Sequence, residues 1–98
     1  EVSAYIRAHY ADVTIQALTD TFHFQEDYFN RLIKHKTGLT YSAYVQQIRL
    51  ERAEHLLLTS DKSIEEIAGI VGYRNKGYFY KIFQQKYGTT PSKYRQRT

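Results

Sequence analysis

Apolar residues recur every three or four positions along almost the whole chain, and no stretch alternates with period two for long enough to make a strand. The pattern predicts an all-α protein. Residues that start and stop helices fall between the apolar runs. Thr14 can cap a helix reaching about Thr21, with Ile15 and Leu18 inward, and after a turn around Phe22 to Gln25 a second helix ends at Gly38. Thr40 opens a long helix from Tyr41 to about Leu58, whose Tyr44, Ile48, Ala53, Leu56 and Leu57 face inward. Ser63 and Glu66 have the spacing of a capping box for a helix to about Val71, with Ile64, Ile67 and Ala68 inward. Asn75 caps a helix that stops at Gly88. Thr90 followed by Pro91 starts a last short helix, with proline at the first position, where its missing N–H costs nothing. Residues 1–10 complete a set of seven helices.

Two pairs stand out, each a short helix, a tight turn and a longer helix, which is a helix-turn-helix. The expected organisation is a first such subdomain at 1–40, a linker helix at 41–58 and a second subdomain at 59–98. At about 1.5 Å per residue the linker is roughly 27 Å long, near the span between successive major grooves on one face of duplex DNA.

The pairs also share wording. Residues 28–46 read YFNRLIKHKTGLTYSAYVQ and residues 78–96 read YFYKIFQQKYGTTPSKYRQ, with the Tyr-Phe pair, a Lys, the Gly, a Thr, a Ser, a second Tyr and a Gln repeated at an offset of 50. The inward stripe of the second helix is apolar in both copies, as Phe29, Leu32 and Ile33 and as Phe79, Ile82 and Phe83. The opposite stripe differs throughout: Asp27, Asn30, Arg31 and Lys34 in one, Gly77, Tyr80, Lys81 and Gln84 in the other. A scaffold that keeps its core and varies its exposed face is what two readers of different base sequence require.

Charge sharpens this reading. Residues 1–30 hold one basic and five acidic residues, residues 31–98 hold thirteen basic and five acidic, and from Arg74 onward there are seven basic residues and no acid. A polyanion is the expected partner, gripped hardest by the C-terminal half. The alternative is a helical protein-interaction module that binds an acidic partner through its basic C-terminal face. Salt-dependent, sequence-selective DNA binding separates the two.

Enzymatic readings find little support. The chain of 98 residues is short for a full enzyme cleft, there is no nucleophile elbow or glycine-rich phosphate loop, and the four histidines, His9, His23, His35 and His55, share no metal spacing. Glu51 and His55, one helical turn apart, read as a solvated ion pair. No catalytic residue, metal or cofactor is expected. The absence of cysteine points to the reducing cytoplasm. No apolar run approaches the ~20 residues of a membrane span, and no charged-then-apolar leader opens the chain, so no membrane partner is expected.

The stretch IEEIAGIVGYRNKGYFYKIFQQKYGTTPSKYR, with Ile67-Ala68, Gly72-Tyr73, Tyr78-Phe79, Phe83, Gly88, Thr90-Pro91 and Tyr94-Arg95, resembles the signature of the AraC/XylS family of bacterial transcription regulators. Tyr44, Arg49-Leu50, Ala53 and Leu56-Leu57 also follow the pattern, so the resemblance covers essentially the whole chain. It implies a bilobal, homeodomain-like DNA-binding domain in which Asp12–Gly38 and Lys62–Gly88 each place a recognition helix in a major groove of double-stranded DNA. Most members of that family activate by touching RNA polymerase, which makes the polymerase a candidate second partner and activation the commoner role, with repression left open. The chain opens at Glu1 inside a predicted helix, so it is expected to be a C-terminal fragment, itself monomeric, of a protein whose upstream domain senses a signal or dimerises. DNA-repair relatives with this fold use a methyl-accepting cysteine, which this chain lacks.

In the first unit Arg31 occupies the place where the resemblance puts a base-contacting arginine, suited to guanine O6 and N7, with a phosphate clamp or a solvated arginine as the other reading. Asn30 is a candidate for adenine or a polar filler. Asp27 either accepts from cytosine N4 or adenine N6, or simply favours the helix dipole. In the second unit Lys76, Tyr80 and Lys81 occupy reading positions, Tyr80 for a thymine methyl or a phosphate, and Gly77 leaves a gap. Lys34, Arg74, Asn75, Gln84, Lys93 and Arg97 are the expected phosphate contacts, and Arg95 is either another or a structural anchor. The first unit departs from the family pattern at Thr19, Gln25 and Ile33, where alanine, serine and phenylalanine are usual. Gln25 is a poor cap, expected to loosen the start of the first recognition helix or shift it toward Asp27, at about 1 kcal/mol.

Overall fold

Capping chemistry sets the element boundaries. The structure is a computed structural model that describes residues 2–14, 17, 21 and 25–96. Among them are six helices: α1 Val2–Ala8, α2 Glu26–Thr37, α3 Tyr41–Thr59, α4 Ile64–Ile70, α5 Lys76–Tyr87 and α6 Pro91–Gln96. Of the seventh expected helix, Thr14 to Thr21, the start is described: the Ala17 N–H donates to Thr14 Oγ1 at 3.0 Å, as a cap should. Its Ile15, Leu18 and Thr19, and most of the turn that follows, lie outside the described residues.

The 50-residue repeat is a repeat of backbone as well as of sequence. Helices α2 and α5 start and end at equivalent positions, and so do the starts of α3 and α6. Both recognition-helix candidates stop at a glycine with φ 76°, Gly38 and Gly88, each sending its N–H back to a carbonyl four residues earlier, Lys34 O and Gln84 O, at 2.8 Å. That left-handed conformation is strained for any residue with a Cβ, which explains why the glycine recurs. Two residues on, Thr40 and Thr90 cap the next helices by accepting from the N–H groups of Ala43 at 3.2 Å and Lys93 at 3.3 Å. Ser63 and Glu66 form the complete capping box of α4, with both reciprocal bonds made.

The chain divides into two compact units, Glu1–Ile48 and Arg49–Thr98, with the boundary inside α3. In the first, Ile6, Val13, Phe29, Ile33, Tyr44, Val45 and Ile48 form one buried cluster, with Tyr5, Tyr10, Leu39 and Tyr41 packed on it. In the second, α4 packs on α5 and α5 on α6. Its buried residues are Leu50, Ala53 and Leu57 of α3, Ile67, Ala68 and Val71, then Phe79, Ile82 and Phe83 of α5, and Pro91. Three expected inward residues, Leu32, Leu56 and Ile64, are only half-buried, whereas Val45, Leu50 and Val71 are buried without having been expected. None of the described helices is long and apolar enough to cross a membrane.

One carboxylate and one guanidinium tie α6 to α3. Glu54 accepts from Tyr94 Oη and, at 3.4 Å, from Tyr87 Oη, which also lies 3.3 Å from Leu50 O. Burial, with the Glu54 carboxylate beside it, pushes the Tyr87 phenol well above its ordinary pKa, so the ring stays neutral. Arg95 donates through Nε to Leu57 O at 3.0 Å and through Nη2 to Ser60 O at 3.3 Å. These bonds satisfy carbonyls at the C-terminal end of α3, where a cation also complements the helix dipole. Of the two sequence readings for Arg95, the anchor is the one observed.

The capping box yields a stability test. Ser63→Ala should lower unfolding free energy by about 1 kcal/mol in a urea titration. Hydrogen bonds from the Ser63 backbone and side chain hold the Glu66 carboxyl below its usual value of 4.5. A depressed carboxylate contributes stability above its unfolded pKa and loses it as pH falls through the folded value. The advantage of wild type over Glu66→Gln should therefore be complete at neutral pH and fade below about pH 4.5, as read by thermal melts across that range.

Candidate nucleic-acid interface

Burial of one aromatic per candidate recognition helix decides which face is outward. Phe29 and Phe79 are fully buried, as are their neighbours one turn on, Ile33 and Phe83. On the opposite stripe of α2, Asp27, Arg31 and Lys34 are exposed and Asn30 is half-buried. On α5, Lys76, Gly77, Lys81 and Gln84 are exposed and Tyr80 is half-buried. Each helix thus gathers its candidate base readers on one side. Arg74 is exposed just ahead of α5, and Lys93 is exposed on α6. Arg97 lies outside the described residues.

The two helices differ in how firmly they begin. Asn75 Oδ1 accepts from the Tyr78 N–H at 3.0 Å, so α5 starts on a true cap and that oxygen is committed to it. Gln25 makes no side-chain cap bond, as expected of glutamine, yet α2 starts at Glu26, with no shift toward Asp27. In place of a cap, α2 has Glu26 and Asp27 in its first turn and Lys34, His35 and Lys36 in its last, each sign at the favourable end of the dipole. Helix α5 has no acid in its first turn and Lys86 in its last.

The turn into α5 is lined by tilted, packed rings. The Tyr73 N–H donates to Ala68 O at 2.8 Å, and the ring lies 5.8 Å from Tyr78 and 5.9 Å from Phe79. The Arg49 guanidinium sits 5.1 Å from the Tyr73 ring centroid, a cation–π arrangement. Burial raises the Tyr73 pKa while the Arg49 charge opposes the rise. Lys76 Nζ is 4.0 Å from Glu65 Oε2 and 5.9 Å from the Tyr80 ring centroid. Both partners of that ion pair are well exposed, so it holds Lys76 only weakly. Among the described residues no group of three or more His, Asp and Glu side chains comes together to hold a metal ion.

Sequence reasoning took the repeated Tyr-Phe pair as one unit. The structure separates them: Phe29 and Phe79 are core, but Tyr28 and Tyr78 are 48% and 46% exposed. The signal that could have found them is their place one residue off the inward stripe, at 100° around the helix.

A family model described as a helix-turn-helix domain matches residues 18–97, from within the first short helix expected at 14–21 through the second pair. The chain belongs to the AraC-type helix-turn-helix family. It is an all-helical DNA-binding domain of the kind found in bacterial transcription regulators. It is 33% identical to the bifunctional transcriptional activator/DNA repair enzyme AdaA of Bacillus subtilis (strain 168), the match covering 97% of this chain and 46% of AdaA. The C-terminal domain of AraT, a response regulator from Geobacillus stearothermophilus, has 31% identity and a TM-score of 0.92, covering 99% of this chain and 82% of that one. The DNA-binding domain of the global transcriptional factor AdpA, solved in complex with a target DNA, has 27% identity and a TM-score of 0.91, covering 98% and 87%. The AraC-type chain spans less than half the length of the curated relatives it matches.

The uncapped start of α2 makes a direct prediction for this AraC-type domain. Gln25→Ser should stabilise the first unit by about 0.5–1 kcal/mol and slow amide exchange in the first turn of α2. Urea titration and hydrogen exchange check it; equal exchange in both proteins would mean that Glu26 and Asp27 already suffice.

Proposed function

We propose that the domain reads DNA as a single copy, with α2 and α5 entering successive major grooves about one helical turn apart and meeting different half-sites. The observation that supports this reading is the matched register of the two helices with unmatched exposed stripes. In it, Asp27, Asn30 and Arg31 of α2 and Lys76, Tyr80 and Lys81 of α5 meet base edges. Lys34, Arg74, Gln84, Lys93 and Arg97 meet phosphates. Asn75, its oxygen used as a cap, offers its amide NH2. The surplus of basic residues from Arg74 onward puts most of the sequence-independent grip on the second unit.

The setting follows from the chemistry and from the relatives. A reader of bacterial operators works in the cytoplasm, where the chromosome lies. Relatives such as RhaS are named transcriptional activators, and in an activating role the surface left off DNA would touch RNA polymerase. In a longer regulator, a further domain would supply signal reception or dimerisation, and the domain itself contributes binding without catalysis.

The deciding experiment is selection of bound sequences from a random pool, followed by footprinting. Two different half-sites occupied by one copy are expected; identical inverted half-sites holding two copies would overturn the arrangement. On the selected site Arg31→Ala should cost about 1–3 kcal/mol and relax preference at one base pair. An equal loss on every sequence would make Arg31 a phosphate contact.

Converting Lys93 and Arg97 to alanine should weaken binding to all sequences alike. It should also reduce the slope of log K against log salt by about 0.9 for each contact removed. Titrations at several salt concentrations check this; an unchanged slope would turn the basic end away from DNA.

A further inference from the structure

The repeat keeps some residues for reasons the fold supplies and others, Lys36/Lys86 and Ser42/Ser92 among them, at exposed positions; the largest of the exposed ones are two tyrosines. Phe29 and Phe79 recur because they are buried, Gly38 and Gly88 because they end helices at φ 76°, Thr40 and Thr90 because they cap the next ones. Tyr28 and Tyr78 recur too, at the third position of α2 and of α5, yet nearly half of each side chain is exposed. Tyr78 leans on the Tyr73 ring at 5.8 Å and still leaves 46% of its surface open. Large apolar side chains kept at an exposed position point to contact with something outside the chain. Here the kept residue stands directly beside a stripe in which every facing pair has changed: Asp27 for Gly77, Asn30 for Tyr80, Arg31 for Lys81, Lys34 for Gln84.

A position that varies meets what differs between the two half-sites, and a position that does not vary meets what they share. Two stretches of duplex with different bases share their sugar-phosphate backbone. Tyrosine suits it: the ring is rigid, and the hydroxyl donates to a phosphate oxygen without reading sequence. We propose that Tyr28 and Tyr78 are a duplicated pair of phosphate-binding residues, each seating its recognition helix at the same depth and register in its groove. The inference rests on α2 and α5 being the reading helices. Because those helices match in register, the two phosphates occupy equivalent places relative to the base pairs read by Asn30 and Tyr80.

The test uses the 98-residue chain on its selected site and on random duplex. Tyr28→Phe and Tyr78→Phe each keep the ring and remove only the hydroxyl, so thermal midpoints should stay put while affinity falls about tenfold, by the same factor on both DNAs. Base preference and the salt slope should not move, since no charge is lost. Singly placed neutral methylphosphonates should reveal two positions, one per half-site, at which wild type loses affinity and the matching Phe variant loses none further. This second measurement decides the matter even if a Phe variant is less stable. Unchanged affinity in both Phe variants, a loss confined to one base pair, or no such methylphosphonate positions would overturn the proposal. If Arg31→Ala shifts base preference on the same DNA while the tyrosine variants do nothing, this proposal alone fails. If neither class of variant changes binding, the two-helix reading fails with it.

Discussion

The burial of one phenylalanine in each of the two long repeated helices, Phe29 in α2 and Phe79 in α5, is the constraint on which the rest depends. A helix turns about 100° per residue, so fixing one side chain in a core fixes which residues every other part of the surface presents. Phe29 lies edge-on to Tyr41 at 6.2 Å, and Phe79 sits among Tyr73, Tyr80 and Phe83 within 6.4 Å. Rotating either helix by one position would bring a half-exposed tyrosine inward and swing the variable exposed stripe aside. The variable face is free to vary because the ring behind it is not.

The second unit adds anchors with no described counterpart in the first. Glu54 gathers two phenols, and Arg95 closes the carbonyl end of α3, so the short helix α6 is held by polar bonds as well as by Pro91 and the packed rings. A six-residue helix has little stability of its own, and these bonds give Lys93 a fixed platform. They also change how the basic C-terminal stretch is counted: Arg95 is occupied with carbonyls, leaving Lys93 as the exposed cation described on α6.

Much of this was legible in the chain because it is local chemistry. Ser63 with Glu66, Asn75, Thr40, Thr90 and the paired glycines are caps whose partners lie within four residues, and all of them form. The outward faces of α2 and α5 followed from 3.6-residue spacing alone. What escaped was whatever depends on several neighbours at once. Helix α3 buries Tyr44, Val45 and Ile48 in its first half and Leu50, Ala53 and Leu57 in its second, stripes that do not continue one another, so a search for one apolar face missed Val45 and Leu50. Leu56, on the expected face, is half-exposed. Tyr28 and Tyr78 were hidden by their repetition, because identity between copies shows that a residue is kept and says nothing of whether it is buried.

The shared boundaries of α2 and α5 carry a consequence for how such a domain changes over time. Residues 26–40 and 76–90 have the same length, end at the same kind of glycine and hand over to the same threonine. They are interchangeable parts. A recombination that copied one over the other would preserve every stop and start of the backbone, asking the core only to trade Ile33 against Phe83 and their neighbours. On the reading proposed above, the offspring would meet the same word twice on DNA where its parent meets two, and a new vocabulary of operators would open in one genetic event, with no point mutation at all.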